Sequence, residues 1–174
     1  MEVRIILRYH LCSPRRSYRC RIPELCDTDI CYEALRIIAL VEDPHARVGT
    51  ASDDFLPVCF EPIGNEADVL LCAVRVPEGY AHILGGKLTA INGMPIEEIV
   101  EKLTDYTPHQ NEYWPLHKFT KRYNGSFSVL TQKAALHVIG VVDLGADSVE
   151  FAFETETGTI IRTTWIRCWN MFSL

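Results

Sequence analysis

The sequence predicts an α+β fold: a short N-terminal helical element, then a partly open β-barrel or sandwich with one or two helices, and a C-terminal β-hairpin. Three observations lead there. Ile30, Ala34, Leu35, Ile38 and Val41 recur at helical spacing. From Phe55 the texture changes to short β-type runs broken by Pro, Gly or Asn. Between them in character, Leu84 to Leu103, LGGKLTAINGMPIEEIVEKL, reads as one complete strand, turn and helix unit.

Each element has its own local justification. The first helix is expected near 28–41, with Asp27 and Asp29 placed where a helix start favours negative charge and Pro44 biasing Asp43 out of the α region. Strand-like runs follow at Leu56–Phe60, Val69–Val76, Lys87–Ile91, Phe127–Thr131, Leu136–Asp143, Val149–Glu154 and Thr159–Trp165. Gly64-Asn65 fits a hairpin turn between the first two, and Thr157-Gly158 another between the last two. In the central unit Asn92-Gly93 tolerates positive φ, and Pro95 opens a helix where a missing N–H costs little. Ile96, Ile99, Val100 and Leu103 make the apolar stripe of that helix, with Glu97, Glu98 and Glu101 facing outward. A second, broken helix is expected within Pro108–Tyr123, interrupted by Asn111 and Pro115.

Composition narrows the function classes. With 174 residues, 48% of them hydrophobic, the chain can bury a core of its own. The net charge is −6, yet the first 21 residues hold six Arg against the single Glu2, so the remainder carries about −11. Residues 1–24 therefore read as a basic, poorly ordered arm, 25–52 as a helical element ending in Asp-Pro-His, and 53–174 as a β-rich domain. Nucleic acid is not expected as a partner of an acidic body, because phosphate binding rests on clustered Lys and Arg. No apolar run approaches the roughly 18 residues that a transmembrane helix needs, and no signal-peptide pattern opens the chain, so a cytoplasmic location is expected. The seven Cys (Cys12, Cys20, Cys26, Cys31, Cys59, Cys72 and Cys168) form no C-x-x-C pair and no zinc-finger spacing. Neither a metal nor a cofactor is expected.

Two blocks carry a resemblance. Asp43-Pro44-His45 closes the first helix with an acidic residue two before a His, and Gly86-Lys87-Leu88-Thr89-Ala90-Ile91-Asn92-Gly93 runs a strand into an Ile-Asn-Gly turn. Together they resemble the front, non-catalytic part of the tail-specific (C-terminal processing) serine peptidases and their tricorn-like and bacterial relatives. Pro108 to Trp114, PHQNEYW, looks like the segment that follows in the bacterial members. The resemblance spans about residues 25–165 and implies a PDZ-like module around the central unit.

What the resemblance implies for His45 is a general base that takes a proton from a serine. That role needs a Ser within hydrogen-bond reach and a third group orienting the ring. Ser13, Ser17, Ser52, Ser126, Ser128, Ser148 and Ser173 lie in no recognisable nucleophile turn, so the alternative is a His that caps the helix before it through its C-terminal carbonyls. For the PDZ-like module, the implied role is capture of an extended peptide or unfolded protein segment by strand addition. Val69, Leu71 and Ala73 would supply the strand, Gly79, Gly85 and Gly86 a loop of close-approaching amides, and Ile96, Ile99 and Val100 the apolar helix wall. The alternative is that these glycines shape turns and that strand and helix are core. The functional expectation is a non-catalytic, peptidase-related module that binds or tethers such segments. Two alternatives stand beside it: the truncated front half of a serine peptidase that needs a catalytic peptidase domain as partner, and a structural module that self-associates through the Val149–Trp165 hairpin.

Overall fold

The computed structural model describes residues 25–43, 45–46, 56, 58–65, 68–111, 113–120 and 129–166. The basic arm, Pro44, most of the segment 47–57 and Phe127 fall outside the described residues. In chain order the elements are α1 (Asp27–Ala39), β1 (Cys59–Asn65), β2 (Asp68–Arg75), a 3-10 helix (Glu78–Ile83), β3 (Lys87–Ile91), β4 (Met94–Pro95), α2 (Ile96–Thr104), α3 (Tyr113–Thr120), a 3-10 turn (Val129–Thr131), α4 (Lys133–Val138), β5 (Ser148–Glu154) and β6 (Ile160–Ile166). They fall into two compact units, residues 1–51 with 101–115 and residues 52–100 with 116–174.

In the first unit, the Cys26 amide donates to the Asp29 carboxylate at 3.2 Å, which satisfies one of the donors a helix start leaves unpaired. The helix stops at Ala39, two residues short of the expected end. The Val41 amide donates to the Ile38 carbonyl and the Glu42 amide to the Ala39 carbonyl, tightening the last turn, and Glu42 then takes a φ of +56°. Leu40 and Val41 are left exposed as a result. Tyr32 is buried edge-on against Tyr106, ring centroids 6.0 Å apart. Burial drives its phenol pKa well above the usual tyrosine range, with Cys31 adding to the same direction.

The second unit is built on one antiparallel sheet in the order β1-β2-β3-β5-β6, with β4 paired to β3. The α+β class expected from the sequence is what forms, and the sheet stays open instead of closing into a barrel. Alternation decides which face is core. Register pairs Phe60 with Ala73, Leu88 with Phe153 and Ile91 with Phe151, so these side chains share one face with Leu71 and Val149, and all are buried. On the opposite face Lys87 meets Glu154 at 3.7 Å and Arg162 meets Glu150 at 3.8 Å, in the manner of a sheet with one wet side.

The aromatic side chains show how far this sheet bends. Phe60 on β1 and Phe151 on β5 are three strands apart, which in a flat sheet is about 14 Å at roughly 4.8 Å per strand. Their ring centroids are only 6.2 Å apart, and Phe60 and Phe153 are at 6.3 Å. The sheet therefore curls over its apolar face. Register shifts between Cys59 and Phe60 and between Leu88 and Ala90 supply local bends of the kind that curling needs.

Several local expectations are corrected. Gly64 and Asn65 are not the turn: they remain inside β1, paired with Val69 and Asp68. Leu136–Asp143 is not a strand: Lys133–Val138 is helical, the Leu136 amide bonding to the Gln132 carbonyl, and Gly140 at φ +78° ends the run. Ala134 and Ala135, both buried, are strong helix formers that outweigh the Val and Ile content after them. Val129–Thr131, expected as a strand end, is a 3-10 turn whose Thr131 carbonyl accepts from the Leu56 amide at 2.8 Å. Within the expected broken helix only Tyr113–Thr120 is helical, with Pro115 in the first turn, where its missing N–H leaves no bond unmade.

Candidate functional site

The proposed peptide strand is an inner strand of the sheet. β1 pairs with β2 along its length, from Cys59 opposite Arg75 to Asn65 opposite Asp68. On the other side β2 meets β3 at Cys72 opposite Lys87. Continued without a shift, that register would bring Val69 opposite Ala90, but Ala90 pairs with Pro95 and Ile91 with Met94. β4 thus occupies the place beside β3 that the first half of β2 would have taken. Among the described residues the β2–β3 ladder ends at Cys72.

Which backbone groups face that gap follows from one residue. The Ala73 amide donates to the Gly86 carbonyl at 3.0 Å, and the Ala73 carbonyl accepts from the Gly85 amide at 2.8 Å. Both polar groups of Ala73 therefore point toward β3. Because strand residues alternate, Leu71 and Val69 turn theirs to the same side; Leu71 belongs to the Cys72–Lys87 bridge, so Val69 is the residue left facing the gap. Val69 is half-buried, while the Leu71 and Ala73 side chains are in the core.

The glycines behave as shapers of turns. Gly85 sits at φ +79°, and a Cβ on Gly86 would lie 3.0 Å from the Ile83 carbonyl oxygen and 3.2 Å from the Phe153 Cβ. The amides of Gly85 and Gly86 are engaged with the carbonyls of Ala73 and Ile83, so these two amides are already spent within the chain. Gly79 has open space around it. On α2, Ile96 and Ile99 are buried and Val100 is partly exposed, so of the three wall residues Val100 is the one that reaches solvent.

Three positions that sequence reasoning did not assign hold this region together. Asn92, at φ +47° in the turn between β3 and β4, donates from Nδ2 to the Val141 carbonyl at 2.9 Å, and its Oδ1 accepts from the Glu150 amide at 2.7 Å. Tyr80 and His82, on the 3-10 helix between β2 and β3, stack at 6.3 Å and reach β6. The Tyr80 hydroxyl donates to the Thr164 carbonyl at 3.5 Å, and the His82 Nε2 lies 3.3 Å from the Thr163 hydroxyl. An Asn-Gly pair is a visible signal for the turn; nothing local marks Tyr80 or His82 as partners of a strand some eighty residues on.

His45 lies in the other unit. Its ring is 89% exposed, with Nδ1 at 3.2 Å from the Asp43 Oδ1, and the same oxygen accepts from the His45 amide at 2.8 Å. The described partner of the imidazole is thus the carboxylate two residues back, not the helix carbonyls expected in the capping alternative. The arrangement is an Asx-type turn in which a carboxylate orients an outward-facing ring. Among the described residues no group of His, Cys, Asp and Glu is placed to hold a metal ion, and no helix is long and apolar enough to cross a membrane. Cys72 is buried beside Lys87; burial pushes its thiol pKa up, and the lysine charge offsets part of that.

A scan against protein-family models gives no match, and neither does a search of curated proteins. Solved structures do match. Mature CPAF, a chlamydial serine protease, aligns with a TM-score of 0.61 at 14% identity over 90% of this chain. Mature CPAF complexed with lactacystin aligns at 0.58 with 16% identity over 90%, and the structure of a CPAF mutant at 0.51 with 15% identity over 91%. This chain spans 28% of the length of each of those chains. At such identity the likeness concerns the fold alone: the chain folds like a part of that protease.

Proposed function

We propose that this chain is a non-catalytic, peptidase-related module that tethers an extended peptide or unfolded protein segment alongside β2. The observation that carries this reading is the split ladder: the half of β2 that precedes Cys72 parts from β3, and the polar backbone groups of Val69 point into the gap. An extended chain entering there would gain main-chain hydrogen bonds, while Val100 and the half-buried Val69 offer apolar contact. The likeness of the fold to part of a serine protease and the strand, turn and helix unit Lys87–Thr104 support it.

The test is a fluorescence-anisotropy titration of the full chain with a diverse library of labelled extended peptides and with a reduced, carboxymethylated unfolded protein. Binding is expected, and Val100→Asp should weaken it about tenfold, equivalent to about 1.4 kcal/mol, with an unchanged melting temperature. A folded wild-type chain that binds none of these ligands would sink the reading.

A second reading has its own observation. The Asp43–His45 pair, with an exposed ring held by a carboxylate, is the orienting half of a general-base arrangement. In that reading the chain supplies the base to a catalytic domain carrying the serine. Mixing with a peptidase domain that gains activity only with intact His45, and not with His45→Ala, would favour it; labelling of this chain alone by a fluorophosphonate would contradict the absence of a competent nucleophile.

A further inference from the structure

We propose that Pro62 closes the outer edge of β1 to strand pairing with a second copy of this chain. The argument starts from the direction of backbone groups. Ala73 points its N–H and C=O toward Gly85 and Gly86 on the β3 side, so Leu70 and Cys72 point theirs toward β1. Their register partners are Ile63 and Glu61. These two residues of β1 therefore spend their polar groups inward, and Phe60, Pro62 and Gly64 turn theirs outward. The proline sits where its missing N–H leaves the internal ladder whole and removes a donor from the outer edge, which no strand among the described residues covers.

The position matters because the strand would otherwise be adhesive. Glu61, Pro62, Ile63 and Gly64 are all exposed, Ile63 at 50%, with Leu70 half-buried as its register partner and Val74 exposed at 38% further along β2. A β-strand edge with apolar side chains and unpaired backbone groups is a template for another chain. β1 is centred on Pro62, so an antiparallel pairing of two copies about that residue would set Pro62 opposite Pro62 and lose both bonds of the central pair at once. With only three outward-facing residues on the strand, every register that forms more than one hydrogen-bonded pair includes the proline. The opposite edge is managed differently, by the Tyr80 hydroxyl on the Thr164 carbonyl of β6.

The experiment is sedimentation velocity over a concentration series on the full chain, on Pro62→Ala and on Pro62→Thr, each checked for its fold by circular dichroism. Both variants should associate at least about tenfold more tightly than wild type. In the centred register Ile63 faces Glu61 of the second copy, so adding Ile63→Glu to Pro62→Ala places like charges opposite each other and should return sedimentation to that of wild type. Variants that sediment as wild type throughout would overturn the proposal. So would association that survives Ile63→Glu, since it would run through another surface, and so would loss of fold in both variants, since Pro62 would then be a folding residue and not an edge guard.

Discussion

Asn92→Ala is the perturbation whose cost can be worked most directly from the geometry. Two side-chain hydrogen bonds disappear, to the Val141 carbonyl and from the Glu150 amide, each contributing about 0.5–1.5 kcal/mol. Alanine must also hold the φ of +47° that Asn92 occupies, at about 1–2 kcal/mol for an L-residue with no local side-chain bond to offset it. The total is a destabilisation of about 2–5 kcal/mol. Asn92→Gly separates the two contributions: it loses the same bonds but adopts the dihedral freely, so it should lie about 1 kcal/mol above Asn92→Ala. Urea unfolding followed by far-ultraviolet circular dichroism reads both. A loss below about 0.5 kcal/mol for Asn92→Ala would refute the view that Asn92 ties the β3–β4 turn to β5. Equal losses for Ala and Gly would refute the backbone contribution alone.

Gly86→Ala should cost about 1–3 kcal/mol, because its Cβ meets the Ile83 carbonyl oxygen and Phe153, whereas Gly79→Ala, with open space around it, should be near neutral; paired thermal melts check this. Ile99→Asp buries a carboxylate at a fully buried position and should cost at least about 3 kcal/mol, so a proteolysis assay should find it unfolded while Val100→Asp stays resistant. The raised Tyr32 phenol pKa stabilises the fold fully below the unfolded tyrosine value near pH 10, and this contribution is lost as pH rises toward the folded value. Absorbance titration at alkaline pH should show Tyr32 ionising together with unfolding, and Tyr32→Phe should flatten that part of the stability profile. A Tyr32 that ionises near pH 10 in the folded chain would contradict its burial.

The parts of the fold that were legible are those whose signal is local. Lys87–Ile91, the Asn92-Gly93 turn and the helix from Ile96 could be read because strand alternation, positive-φ residues and a proline before the helix agree with one another. β5 and β6 were legible for the same reason, through Val149, Phe151 and Phe153 on one side of a Thr-Gly turn. Helix α4 was not, because the Val and Ile residues from 138 to 142 look like a strand while the deciding residues are the buried Ala134, Ala135 and Leu136. The candidate site was only half legible. Alternation identifies β2 as a strand, but its inner place between β1 and β3 and the substitution of β4 beside Ala90 depend on strand order, which no local pattern encodes. The glycine loop was left with two readings for a related reason: a sequence shows that Gly85 and Gly86 can expose amides, not that the carbonyls of Ala73 and Ile83 take them.

The stacking of Phe60 on Phe151 and Phe153 also bears on how the molecule is made. These rings come together from points about 90 residues apart in the chain, and β3 finds its longest partner in β5 rather than in the strand synthesised just before it. During synthesis, β1 to β3 and the helix from Ile96 emerge well before the strand that covers the far side of β3. Until Ser148–Glu154 arrives, Leu88 and Ile91 lack their opposite numbers and the curl of the sheet has nothing to close on. Folding of this unit is therefore paced by a late, long-range closure instead of by its well-formed local turn, and a chain halted before β5 would display a hydrophobic half-sheet to whatever chaperone or partner is near.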